Sequence, residues 1–153
     1  MAKTVADSEV RFSKQIVPTR ANPGGRVHAG EIMQMLYNAA HKAAQKHSGT
    51  DVTAVAVDEM VFLHPLHMGT VVTAHAFLTF TGKTSMEVEV NLYTEDLPET
   101  TAVLTAYFVM VALDAQQHPI PVPALEPKND DERKRFDEGQ RRYGARRKLK
   151  SVH

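Results

Sequence analysis

The feature that most limits how this chain can fold is the contrast between residues 30–47 and the stretch that follows them as far as residue 113. From Gly30 to His47 the apolar and small residues fall at Ile32, Met35, Leu36, Ala39, Ala40, Ala43 and Ala44, three and four positions apart, which sets them on one face of a helix. Beyond Asp51 that period disappears. Segments 52–63, 70–80, 85–94 and 101–113 read as strands, separated by Pro65, by Thr81-Gly82-Lys83 and by a polar stretch around Pro98. In 85–94, Met86, Val88, Val90 and Leu92 alternate with Glu87, Glu89, Asn91 and Tyr93, so one face is expected to be covered and the other polar, as in an antiparallel sheet. Segment 101–113 is apolar almost throughout, which suits a central strand or one buried at a subunit interface.

Upstream of the helix, residues 8–17 place Val10, Phe12 and Ile16 in a first strand whose pattern Lys14 interrupts, and Pro18 ends it. Residues 18–29 are rich in Pro, Gly and Asn and form a loop that feeds the helix, while Ser48-Gly49 supplies its stop. The buried stripe narrows from Ile, Met and Leu to Ala along the helix, so a sheet can approach closely there. The order strand, helix, four strands predicts an α+β fold, one long helix against a five-stranded antiparallel sheet. One helix cannot cover both faces of such a sheet, so a second copy is expected on the other face, making at least a dimer.

Length and composition narrow the function classes. The 153 residues suit one compact domain, residues 1–126, closed by Pro119, Pro121, Pro123 and Pro127. Residues 127–153 form a charged, helical C-terminal tail of separate character. The formal net charge of +0 conceals this: residues 1–126 hold 8 basic and 13 acidic side chains, the tail 10 basic and 5 acidic. The last stretch, Arg141, Arg142, Arg146, Arg147, Lys148 and Lys150, either meets phosphates or an acidic partner surface or is a solvated helix end. A nucleic-acid role for it rests on charge alone. Without any Cys, disulfide scaffolds, thiolate metal sites and cysteine nucleophiles are excluded. There is no apolar run of membrane-spanning length and no secretory-signal order at the N-terminus, which points to the cytoplasm and away from a membrane.

Few residues suggest chemistry by themselves. Asn22 lies in the loop, and His28, Ala29 and Gly30 lead into the helix, whose first N–H groups and small residues suit an oxyanion. Lys83 is the one Lys or Arg between Lys46 and Lys128, in a turn with Thr84 and Ser85. It reads as a phosphate contact or as a solvated hairpin tip, and a Walker motif is not present. His64 and His67 bracket Pro65-Leu66 without neighbouring carboxylates, so no metal is expected. A serine-hydrolase elbow is lacking.

The segments ANPGGRVHAGEIMQMLYNAA (21–40), VDEMVFLHPLHMG (57–69), GKTSMEVEVNLYTED (82–96) and PIPVPALEP (119–127), taken in order, resemble the hotdog-fold acyl-CoA thioesterases. They are most similar to the cytosolic acyl-CoA hydrolase branch, with its bacterial single-domain enzymes and the tandem brain enzyme. The resemblance implies a helix wrapped by the sheet, protomers paired into a continuous sheet, commonly a trimer of such dimers, and hydrolysis of acyl-CoA to fatty acid and CoA. No cofactor is implied, CoA being part of the substrate.

Residue by residue, the resemblance puts Asn22, Gly25, His28 and Gly30 on the family's N-x-x-G-x-x-H-G-G pattern, with Ala29 replacing a glycine. Asn22 then orients water or thioester, and the Gly30 N–H polarises the carbonyl. Tyr37 stands where the family's M-D-x-A-A acid is expected, and a phenol with an ordinary pKa near ~10 is a poor base. Three readings follow: another acid serves (Asp58 or Glu59, with Glu31 less suitable), Asn22 and the helix start suffice for slow hydrolysis, or the chain binds acyl-CoA without turnover. Lys83, Thr84 and Ser85 become CoA contacts, with the tail adding phosphate contacts. Met33, Met35, Leu36, Tyr37 and Phe62 are the expected walls of an acyl tunnel, or else ordinary core.

Overall fold

The computed structural model describes residues 2–16, 29–67 and 69–152. Five strands, β1 (Val10–Gln15), β2 (Asp51–Phe62), β3 (Val71–Thr81), β4 (Ser85–Thr94) and β5 (Leu104–Leu113), form one antiparallel sheet in the order β1-β3-β4-β5-β2. Helix α1 (Ala29–Ser48) packs on one face and touches all five strands. Its buried apolar residues are the seven that the helical period selects. The alanine half allows close approach to the inward residues Val72, Ala74, Ala76, Val88, Val90 and Ala106, all fully buried. Gly49 closes α1 in the left-handed region (φ 73) while its N–H donates to the Gln45 carbonyl at 2.8 Å, a bond that any side chain at this φ would strain.

The two-faced reading of β4 needs correction. Met86, Val88, Val90 and Leu92 do face α1, but on the opposite face Glu87 is only 1% exposed and Asn91 is also buried. The cover is a second helix, α2 (Asp130–Val152), which the Asn129 carboxamide caps by accepting the Glu132 N–H at 2.8 Å. Asp130, Asp131 and Glu132 in its first turn complement the helix dipole. α2 crosses the outer face from β3 to β2. Phe136 and Tyr143 sit 5.0 and 5.3 Å from the Phe80 ring, Arg142 lies 3.8 Å over the Tyr107 ring, and Arg146 reaches Asp58 on β2. Gly139 makes the approach possible, because a Cβ there would lie 2.7 Å from the Phe80 Cβ and 2.8 Å from Glu87 Oε1.

Two expectations about the outer face are therefore revised. A second copy is not needed to cover the part beneath α2, because the chain covers it itself. Nor is the end of the tail simply solvated, since Arg142 and Arg146 turn onto the sheet. The apolar surface left open lies along the edge strand β2 and just past it, at Val55 (58% exposed), Val57, Val61, Phe62 and Leu63 (60% exposed). β2 ladders with β5 and with no other described strand, so it presents an edge able to accept another strand.

Candidate active site

The start of α1 is the first place where chemistry can be built. Gly30 is exposed in the first turn, and a 20-residue helix directs the positive end of its dipole there. Asn22, Gly25 and His28 fall outside the described residues. Glu31 is the acidic residue of that first turn. Its Oε1 is 3.5 Å from Lys14 Nζ on β1, and its buried Oε2 has no hydrogen-bond partner among the described residues.

Two turns along α1, Tyr37 is half-buried with its ring 5.5 Å from that of His41, and it packs against the edge of the core. Met33, one turn earlier on the same side, is 37% exposed, and Phe62 is 45% exposed at the end of β2. Of the two roles open to Met35 and Leu36, tunnel wall or ordinary core, the structure gives them the core, at 4% and 0% exposure. The helical period explains the split: positions 35 and 36 belong to the sheet-facing stripe, positions 33 and 37 to its flank.

Of the candidate replacement acids, Asp58 is committed elsewhere. Its Oδ2 accepts from Arg146 at 2.6 Å on the outer face, on the other side of the sheet from α1 of the same chain. The side chain of Glu59 lies outside the described residues. His64 and His67 are exposed, and no group of three metal-ligating side chains converges among the described residues.

The second place is the turn from β3 to β4. The Gly82 N–H donates to the Ser85 carbonyl at 2.9 Å, the Ala112 N–H to the Thr84 carbonyl at 3.1 Å and the Val122 N–H to the Lys83 carbonyl at 2.9 Å. The turn is thus fastened to the end of β5 and to the proline-rich exit. Thr84 and Ser85 open into a groove of about 660 Å³ whose apolar floor includes Val109 and Val111, and whose far wall is Tyr143, Arg146 and Arg147 of α2. Lys83 is exposed beside it and does not line it.

Sequence reasoning did not find the network that holds this wall. Glu87 accepts from Arg142 Nε (2.9 Å) and a terminal nitrogen of Arg142 (2.7 Å), and from the Thr79 hydroxyl at 2.6 Å, with Arg146 at 3.7 Å. A bidentate, hydrogen-bonded pair of this kind offsets the desolvation of a buried carboxylate. The available signal was the Gly139, Arg142, Tyr143, Arg146 spacing, which puts small, cationic and aromatic groups on one side of a helix otherwise polar all round. His47 was missed too. It is fully buried in the last turn of α1, its Nε2 is 2.6 Å from the Pro123 carbonyl oxygen, and burial holds its pKa below the ordinary value of 6.5.

Comparison with known proteins agrees with this architecture. Residues 24–101 match the family model described as "Thioesterase superfamily". The chain is 32% identical to the cytosolic acyl coenzyme A thioester hydrolase of Rattus norvegicus over 92% of its own length, and it spans 38% of that relative's length. An acyl-CoA hydrolase from Staphylococcus aureus, solved with butyryl coenzyme A and coenzyme A, matches with a TM-score of 0.87 at 27% identity, covering 99% of this chain and 90% of that one. An apo hexameric acyl-CoA thioesterase matches with a TM-score of 0.90 at 26% identity, covering 99% of both chains. The helix on a five-stranded antiparallel sheet is the hotdog arrangement expected from the sequence resemblance, and the chain belongs to the thioesterase superfamily.

Proposed function

We propose that this chain hydrolyses acyl-CoA thioesters to free fatty acid and CoA. The observation that carries the reading is the likeness over 99% of the chain to a hydrolase solved with butyryl-CoA. Asn22 positions the water or the thioester, and the start of α1 at Gly30 stabilises the oxyanion that forms when water adds to the carbonyl. His28 stands beside them in sequence. Lys83, Thr84 and Ser85 bind the CoA portion through one cation and two hydroxyls. Met33, Tyr37 and Phe62 flank the acyl chain. No cofactor takes part beyond the CoA of the substrate.

The edge strand β2, with its exposed apolar side chains, pairs with a second copy into a continuous sheet, and three such dimers assemble as a hexamer in the cytoplasm. The hexameric relative and the exposed β2 edge support this assembly. A second reading, acyl-CoA binding with little or no turnover, is favoured by one specific observation: a half-buried phenol occupies the position of the family acid.

Release of free thiol from an acyl-CoA series, acetyl to palmitoyl, separates the two. Turnover by the chain as it stands, reduced about 10²-fold or more in Asn22→Ala, is the expected result. Absence of turnover at every chain length, with hydrolysis appearing in Tyr37→Asp, would replace the enzyme with a binding protein.

A further inference from the structure

We propose that Glu31 is the general base of the hydrolysis, serving in place of the acid that Tyr37 replaces, and that Lys14 positions it. This inference rests on the acyl-CoA reading above and supplies the proton acceptor that the reading leaves unassigned.

Two irregularities of the sequence meet in this pair. Tyr37 removes the acid from the middle of α1, and Lys14 interrupts the apolar period of β1. Val10, Phe12, Lys14 and Ile16 share one side of their strand, and Val10 and Ile16 are buried there. Val72, the cross-strand neighbour of Lys14, is fully buried on the face of the sheet that α1 covers. Lys14 thus carries a cation toward the helix from a position where period calls for an apolar side chain. Its Nζ ends 3.5 Å from Glu31 Oε1. The Lys14 side chain stays 50% exposed, whereas that of Glu31 is 8% exposed.

What separates Glu31 from a structural ion pair is its second oxygen. Oε2 is buried and accepts no hydrogen bond among the described residues. An acceptor buried in this way costs stability, so its persistence calls for a use. The other acids near the sheet are spent: Glu87 accepts from Thr79 and Arg142, and Asp58 from Arg146. Helical side chains lean toward the N-terminus, which directs the Glu31 carboxylate to the end of α1 where the oxyanion is stabilised. Oε2 takes a proton from water as the water oxygen bonds to the thioester carbonyl carbon. The carbonyl π pair moves onto oxygen, so negative charge passes from Glu31 to an oxyanion beside the positive end of the α1 dipole. Collapse of this intermediate breaks the carbon–sulfur bond, and the proton on Glu31 goes to the departing CoA sulfur. The products are the fatty acid and the free thiol of CoA, with Glu31 again a carboxylate. Lys14 holds Oε1 throughout and leaves Oε2 to the water.

Steady-state hydrolysis of butyryl-CoA by the full chain, run beside calorimetric CoA binding and thermal melting, tests the assignment. Glu31→Gln, which keeps the side-chain shape, is expected to lower kcat about 10²-fold or more while CoA affinity and cooperative melting stay as in the unmodified protein. Adding Tyr37→Asp to that variant returns an acid to the middle of α1 and should restore turnover. Lys14→Met should lower kcat about tenfold at unchanged KM, because the base is still present but no longer held, and Lys14→Arg should recover most of the loss. Lys128→Met, which breaks the exposed pair with Glu126, should change neither constant. Turnover indifferent to Glu31→Gln would overturn the proposal and leave the thioesterase reading standing. Loss of turnover, CoA binding and cooperative melting together, without recovery on adding Tyr37→Asp, would also overturn it, since that pattern marks a structural ion pair. An unmodified chain that hydrolyses no acyl-CoA, whatever its chain length, would remove the thioesterase reading and the base with it.

Discussion

The two helices lie on opposite faces of one sheet and are held by opposite means. α1 presents Ile32, Met35, Leu36 and four buried alanines, so it docks by removing apolar area from water. α2 carries few apolar groups, and it docks through one buried carboxylate, two arginines and two aromatic side chains gathered around Phe80. Hydrophobic docking tolerates small shifts, because burial is non-directional. Docking on a buried ion pair does not: its cost is met only when the Glu87 and Arg142 hydrogen bonds are all made. The difference is one between a permanent layer of the core and an arm whose attachment depends on a few groups.

Three substitutions or conditions bear on that contrast. Leu36→Ala on α1 leaves a cavity in the shared core and should lower the unfolding free energy by ~2–5 kcal/mol in denaturant titration, with the transition still cooperative. Arg142→Ala on α2 leaves Glu87 buried without its main partner. Stranding a buried charge can cost ~3–5 kcal/mol. Here α2 can lift and let water in, so the expected result is faster amide exchange across α2 and a smaller global loss than Leu36→Ala produces. A global loss equal to that of Leu36→Ala, with α2 still protected, would remove the distinction between layer and arm.

The smallest effect concerns acid. The folded-state pKa of His47 is depressed by burial, so between that value and 6.5 the unfolded chain binds more protons than the folded one. Stability supplied by keeping His47 neutral is therefore present above pH 6.5 and is lost as the pH falls toward the folded pKa. The melting temperature should decline on acidification through this window, and His47→Gln should flatten that decline. Because His47 closes the α1 side against Pro123, amide protection of α1, not α2, should follow this titration.

How much was legible follows from the same contrast. Residues 30–47 and 85–94 announce their structure through period, since a buried face needs apolar residues at regular spacing wherever it packs. The seven buried apolar residues of α1, its stop at Gly49 and the inward set of β4 could be read directly. Glu87 could not. On a strand its alternation with apolar neighbours marks it for solvent, and only the helix arriving 55 residues later in the chain turns that position into the interior. Asp58 is a related case. As a lone acid on a strand it looks available for proton transfer, while the structure gives it to Arg146, a partner 88 residues away. Thr84 and Ser85 were singled out by composition and resemblance, whereas their position opposite Arg147 could be known only once α2 was in place.

By itself the sequence determined the α+β class, the single amphipathic helix, the strands and their inward faces, and the resemblance that names the family. These depend on local period and residue type, which the chain carries in every short window. The tertiary structure alone decided which face of the sheet is wet, which arginines are spent and which acid is paired. Those outcomes depend on contacts between segments far apart in sequence, where one distant arginine is enough to change a surface carboxylate into a buried anchor.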